Sequence, residues 1–353
     1  MINPFYNKQQ KRIRALWRII IQGVLFVLGA ATIGVVLGVI AMLIMAATGQ
    51  ADPDQLFNQL AATALFVSMG GWYFALNGVG TVIVILLTFL LAGRILDRRK
   101  FGDFGFHFSR LWWLDLGFGL ALGAGMMLLI FLIELAAGWI TIDGFMHASG
   151  SSSFLSGILA ALVGFIAVGI YEEMLSRGYH LRNLAEGLNW GVLGARGGLW
   201  AGYLISSSVF GLLHASNPNA SWISTMNLIL AGLFLGLGFI LTGELAIPIG
   251  LHITWNFFQG NIFGFPVSGM KSGATLISIQ QGGPDLMTGG AFGPEAGIIG
   301  IFAILLGSVL TILYVKATRA KVRLRTELAE YKKPEKKIEL SSPELGGENL
   351  PAD

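Results

Sequence analysis

The sequence predicts an all-α polytopic membrane protein, with about eight transmembrane helices in a bundle. Three observations carry that expectation. Hydrophobic residues make up 54% of the 353-residue chain and charged residues only 12%, about half the charged share of an ordinary soluble domain. The apolar residues fall in runs of the roughly 20 residues that a helix needs to cross the hydrocarbon core. Positive charge gathers in alternate loops between those runs. The chain has no cysteine, which excludes a disulfide framework and a cysteine-based zinc site. The net charge is only +3, and no basic patch interleaves with aromatic residues, so no nucleic-acid partner is expected.

In chain order the candidate spans are 19–47, 72–93, 113–138, 153–175, 197–215, 224–243, 246–264 and 296–317. The first is too long for a secretory signal and lacks a small-residue cleavage site after it, so it reads as an uncleaved helix. The stretch 58–70 is apolar but short, and is expected to lie against the bundle or the interface. Glycine is abundant, at 49 residues, and pairs such as Gly119 and Gly123, or Gly232 and Gly236, point to close helix packing through small residues.

Orientation follows from the loops. Lys8, Lys11, Arg12, Arg14 and Arg18 precede the first span. Arg94, Arg98, Arg99, Lys100 and Arg110 lie between the second and third. Arg177, Arg182 and Arg196 follow the fourth, and Lys316, Arg319, Lys321, Arg323 and Arg325 follow the last. The intervening stretches 48–71 and 139–152 carry no Lys or Arg, and 265–295 carries only Lys271. The positive-inside rule then puts both termini in the cytoplasm. Trp17, Trp72, Trp112, Trp113 and Trp139 sit near span ends, as an interfacial belt would have them. The expected organisation is a basic cytoplasmic N-terminus (1–18), N-terminal transmembrane helices (19–150), a core with the last span (151–318) and a mobile cytoplasmic tail (319–353).

Ionisable residues inside membrane helices are costly, which makes each a candidate for function. Three groups stand out in the second half of the chain. In Tyr171-Glu172-Glu173-Met174-Leu175-Ser176-Arg177, adjacent acids on a helix point about 100° apart and cannot share one role. Glu173 and Arg177 are spaced i, i+4 with the acid first, the favoured ion-pair order. Glu172 is left without a cation nearby in sequence, and a carboxylate in a partly dry site suits a general base. The plainer alternative is the charged end of a span. In Phe210-Gly211-Leu212-Leu213-His214, the Phe and His share a helix face, and the alternative is a hydrogen-bonded core histidine. In His252-Ile253-Thr254-Trp255-Asn256, His252 and Asn256 share a face. They could stabilise an oxyanion or help hold a metal, or simply bond two helices together.

Depth joins the first two groups. The turn between their helices is expected near 189–195. Glu172 stands about 17 residues before it and His214 about 19 after, which at 1.5 Å per residue sets them within about 3–4 Å in depth. His252 fits less simply. The same assignment leaves it about five residues from the cytoplasmic end of its span, so that helix is expected to be sunken, tilted or re-entrant, with Pro248 and Gly250 near its start.

The order E-E-x-x-x-R, F-x-x-x-H, H-x-x-x-N resembles the CPBP intramembrane proteases, also called the CAAX protease and bacteriocin-processing family, or Abi family. The matching positions are Glu172, Glu173 and Arg177, then Phe210 and His214, then His252 and Asn256, within about residues 155–262. Leu96-Asp97-Arg98-Arg99 with Phe104-Gly105-Phe106 looks like the upstream region of bacterial members. Many members have an aromatic residue where this chain has Ser176. The resemblance implies an active site inside the membrane and an intramembrane endopeptidase of a bacterial plasma membrane. Its substrate would be a membrane-embedded or membrane-anchored peptide. Glu172 would activate water with help from His214, His252 and Asn256 would form the oxyanion hole, and Glu173, Arg177 and Phe210 would support them. The family is often labelled a metalloprotease. A zinc-dependent form would use Glu172, His214 and His252, although the compact H-E-x-x-H pattern is missing. Two further readings of the same polar set are an ion or proton pathway and a non-catalytic immunity or scaffold protein. An inverted repeat, which would favour transport, is not seen.

Overall fold

The computed structural model describes residues 3–47, 71–149 and 153–331. The apolar stretch 58–70 and the tail beyond 331 lie outside the described residues. A helix forms at each of the eight expected spans: α1 (Ala15–Ala47), α2 (Trp72–Ala92), α3 (Arg110–Ala136), α4 (Phe154–Glu173), α6 (Gly194–Leu213), α7 (Trp222–Thr242), α8 (Ala246–Phe257) and α9 (Ile298–Thr318), with the short α5 (Arg182–Gly187) completing the order. Six of these stretches are long and apolar enough to cross a membrane: α1, α2 extended to Asp97, α3, α4 continued to Gly187, α7 and α9. Helix α6, with Arg196 and Ser206–Ser208, is more polar, and α8 is short. Two antiparallel ribbons, β1 (Tyr6–Asn7) with β2 (Arg12–Ile13) and β3 (Ile140–Ala148) with β4 (Ala274–Gln281), are the only sheets among the described residues.

Helix α8 lies at the centre of the bundle, and all its residues except Thr254 and Asn256 are buried. It can sit there because two glycine-bearing backbones cross closely. A Cβ on Gly123 of α3 would stand 2.5 Å from the Leu251 carbonyl oxygen, and one on Gly250 would stand 2.5 Å from that of Leu116. The Thr254 hydroxyl donates across the same seam to the Leu120 carbonyl at 2.8 Å. In lipid, helices gain little from burying apolar surface, so close backbone approach supplies the packing. Gly123→Val should therefore cost at least about 2 kcal/mol by overpacking, read as a lower Tm in detergent. A parent-like Tm would refute the close crossing.

Three expectations change. The fourth span does not stop near 175. It widens into a π-helical stretch at Met174–Leu181 and continues through α5 to Gly187, so Glu172 lies well inside a long helix and not at its charged end. Trp112 is no interfacial anchor: it is 4% exposed and its indole N–H donates to the Gly105 carbonyl at 3.0 Å. The stretch 319–331, expected as the start of a mobile tail, packs against the bundle. Leu328 and Ala329 are buried, the Arg325 N–H donates to the Ile240 carbonyl at 2.8 Å, and Asn189 donates to the Ala329 carbonyl at 2.9 Å.

The basic residues that suggested orientation also hold the bundle end together. Arg18 bridges Asp97 (2.9 Å) and Glu186 (2.8 Å), Arg99 reaches Glu186 at 2.5 Å, and Arg12 pairs with the same carboxylate. Tyr179 donates to Asp97 at 2.6 Å, and the Tyr331 ring stacks on the Arg12 guanidinium. Buried charges are tolerated when each has partners of the opposite sign. Glu186 does this for three arginines, joining the N-terminal ribbon, the segment after α2 and α5.

Candidate active site

The two adjacent acids of α4 part as helical geometry requires. Glu173 turns inward and is 0% exposed, while Glu172 retains 21% side-chain exposure and lines a cavity. Glu173 Oε1 accepts from Arg177 at 2.8 Å, the i, i+4 pair expected from the spacing. The same oxygen also meets His252 Nδ1 at 2.8 Å, across 79 residues of sequence. Glu173 is thus shared between Arg177 and His252, a second partner that the sequence did not suggest. Arg177 also donates to the Gly232 carbonyl at 2.8 Å and lies over the Phe210 ring at 4.5 Å.

This packing orients His252. A carboxylate accepts, so Nδ1 carries the proton in the bond to Glu173, and Nε2 is left facing Glu172 Oε2 at 3.9 Å. His214, at the C-terminal end of α6, is held the same way. Its Nδ1 lies 2.8 Å from the Phe210 carbonyl oxygen, which can only accept, so its Nε2 is also free of the backbone. The Phe210 ring touches both imidazoles, with centroids 4.8 Å from His214 and 6.1 Å from His252. Phe210 therefore works as a spacer, fixing two rings and capping a guanidinium.

Glu172, His214, His252 and Asn256 all line one cavity of about 1100 Å³. The position of His252 relative to the fourth helix is thereby fixed, through its bond to Glu173. Helix α8 is short and starts beside the loop between α2 and α3, where the Leu245 N–H donates to the Gly105 carbonyl at 3.0 Å. Its second turn consequently meets the middle of the long fourth helix.

Part of the remaining wall comes from residues to which the sequence assigned no role. The glycine-rich loop after α8 folds back as a strap, and Val267 to Ala274 line the cavity, as does Glu295 from the turn before α9. Burial pushes the Glu295 carboxyl above the usual carboxylate range, against the lowering effect of its bonds from Ser268. The available signal was an acid beside the last apolar span, which intramembrane economics should have flagged.

The donor set does not fit a metal ion as placed. Two ligands of one tetrahedral zinc ion at 2.0–2.2 Å lie about 3.3 Å apart, closer than the 3.9 Å between Glu172 and His252. Among the described residues no three His, Asp or Glu side chains converge as ligands.

A family model described as type II CAAX prenyl endopeptidase Rce1-like matches residues 154–258, the stretch from α4 to the end of α8. No curated protein and no solved structure matches the chain. The matched stretch holds all seven residues of the three motifs, and the six membrane-length helices around it make the chain an integral membrane protein. Over this segment, somewhat less than a third of the chain, the sequence is that of the CPBP family to which the CAAX-type endopeptidases belong.

Proposed function

We propose that the chain hydrolyses a peptide bond of a membrane-embedded or membrane-anchored substrate, with Glu172 as the base that activates water. The observation that carries this reading is the approach of Glu172 and His252 to 3.9 Å on the wall of a cavity also lined by His214 and Asn256. A water placed between them gives its proton to Glu172 as its oxygen attacks the carbonyl carbon. His214, with Nδ1 tied to a carbonyl, offers Nε2 as a second acceptor for that water. The negative charge that forms on the carbonyl oxygen needs donors. The Asn256 amide supplies one, and His252 in its doubly protonated form supplies the other through Nε2–H, while its Nδ1–H stays on Glu173. The proton on Glu172 then passes to the leaving nitrogen as the C–N bond breaks. Glu173 and Arg177 position the machinery from behind the cavity wall, and Phe210, on that wall, spaces the two imidazoles. The basic ends of the helices support a topology with both termini cytoplasmic; the assignment to a bacterial plasma membrane rests on the family resemblance alone.

Two experiments test this. Membrane proteomes of cells carrying the parent or Glu172→Ala should differ by substrates that persist uncleaved in the variant. On a substrate found in this way, purified parent should cleave equally well after chelator treatment that leaves less than about 0.1 zinc per chain by metal analysis, because the donors are too far apart for one ion. Activity lost with zinc and restored by it would overturn the metal-free assignment.

A further inference from the structure

A second carboxylate reaches this cavity from outside the family-matched segment. Glu295 lies in the turn Pro294–Ala296, is 3% exposed and lines the cavity. A buried carboxyl is expensive unless its oxygens are used. Oε1 accepts from the backbone N–H of Ser268 at 2.5 Å and from its hydroxyl at 2.8 Å. Ser268 has φ 47°, a left-handed backbone that a non-glycine residue holds only when its surroundings enforce it.

The surroundings do enforce it. Asn217 donates to the Ser268 carbonyl at 3.1 Å, Gln259 donates to the Pro266 carbonyl at 2.6 Å, and the Gly269 N–H donates to the Phe292 carbonyl at 2.8 Å. A side chain at Gly269, where φ is 85°, would overlap the Pro218 carbonyl. Asn217 and Pro218 lie in the turn directly after His214. The first half of the strap is thus clamped between the turn behind a candidate catalytic histidine and the Glu295 carboxylate. The second half, from Met270 to Gly273, lines the cavity, and Met270 is 51% exposed there. This half faces the cavity and retains exposure at Met270.

We propose that Glu295 is a positioning residue for the substrate: it latches the 266–273 strap as a wall of the cavity shared with Glu172, and so sets the affinity and register of an extended peptide segment. The inference rests on the protease reading above. A mere staple would contribute stability alone. A latch that shapes the wall acts on substrate binding before it acts on the chemical step.

The test uses full-length protein in proteoliposomes with a peptide substrate that the parent cleaves. For Glu295→Ala, losing charge-assisted bonds to the strap should raise KM ~10-fold, keep kcat within ~2-fold, and speed amide exchange at 266–273 by ~10-fold or more. Glu295→Gln, whose amide oxygen still accepts from Ser268, should return both readouts to within ~3-fold of the parent. Unchanged KM, unchanged strap exchange, or a fall in kcat at constant KM would each overturn the proposal. If Glu295→Ala does not fold, Ser268→Ala removes only the hydroxyl bond and should raise KM ~3-fold; a parent-like KM then overturns it. Failure of the protease reading looks different, since the parent itself would then cleave no peptide while strap exchange in Glu295→Ala still reports the latch.

Discussion

Glu172→Ala should lower kcat for peptide cleavage by at least about 10³-fold, within the range of a positioned general base, while Tm in detergent stays within a few degrees of the parent. The two halves of this expectation come from one fact. The neighbouring acid, Glu173, takes the Arg177 ion pair and the Nδ1 bond of His252. Glu172 is left partly exposed on the cavity wall, so removing it leaves no buried cation without a partner. Glu172→Gln keeps the shape and loses the base, and should be as inactive as the alanine variant. Parent-like cleavage by either purified protein would remove Glu172 from the mechanism. If both variants still bound substrate at parent affinity, the defect would lie in chemistry and not in binding, which also separates an enzyme from a scaffold.

Glu173→Ala should show the opposite balance, with a large loss of stability and a loss of activity that follows from it. Removing one partner of a buried ion pair typically costs about 3–5 kcal/mol, because the other charge stays behind. Here the stranded group is Arg177, 1% exposed and, among the described residues, held by the Gly232 carbonyl and the Phe210 ring. His252 loses its Nδ1 acceptor at the same time and with it the orientation of Nε2. Glu173→Gln retains an acceptor and should fall between parent and alanine in Tm. The exposed Arg323–Glu327 pair, although only 2.6 Å long, is the control. Arg323→Ala should change stability by no more than about 1 kcal/mol, since solvent screens the pair. Denaturation monitored in detergent separates the cases. A Glu173→Ala protein as stable as Arg323→Ala would mean that the buried pair is not formed.

Much of this molecule is legible in its sequence. Hydropathy locates all eight helices, because crossing lipid demands a local run of apolar residues with internally satisfied backbone. Helical spacing assigns Glu173 to Arg177 and puts Glu172 on another face, because both statements concern one turn of one helix. Counting residues from the turn near 189–195 brings Glu172 and His214 to a similar depth, and both line the cavity.

The sequence by itself therefore determined what depends on neighbours along the chain: spans, the ion pair within α4, and the order of motifs that resembles an intramembrane protease. Tertiary structure alone decided what depends on neighbours across it. It continued the fourth span through a π-helical stretch to Gly187 and docked residues 319–331. It packed α8 against α3 through glycine crossings and brought His252 to Glu173, and it brought Glu295 and the strap to the same cavity. Transfer energies and helical periodicity act within about one turn or one span of sequence, whereas the placement of α8 in the bundle depends on how closely its backbone can approach α3. That distance is a property of two surfaces packed together, and neither segment carries it alone.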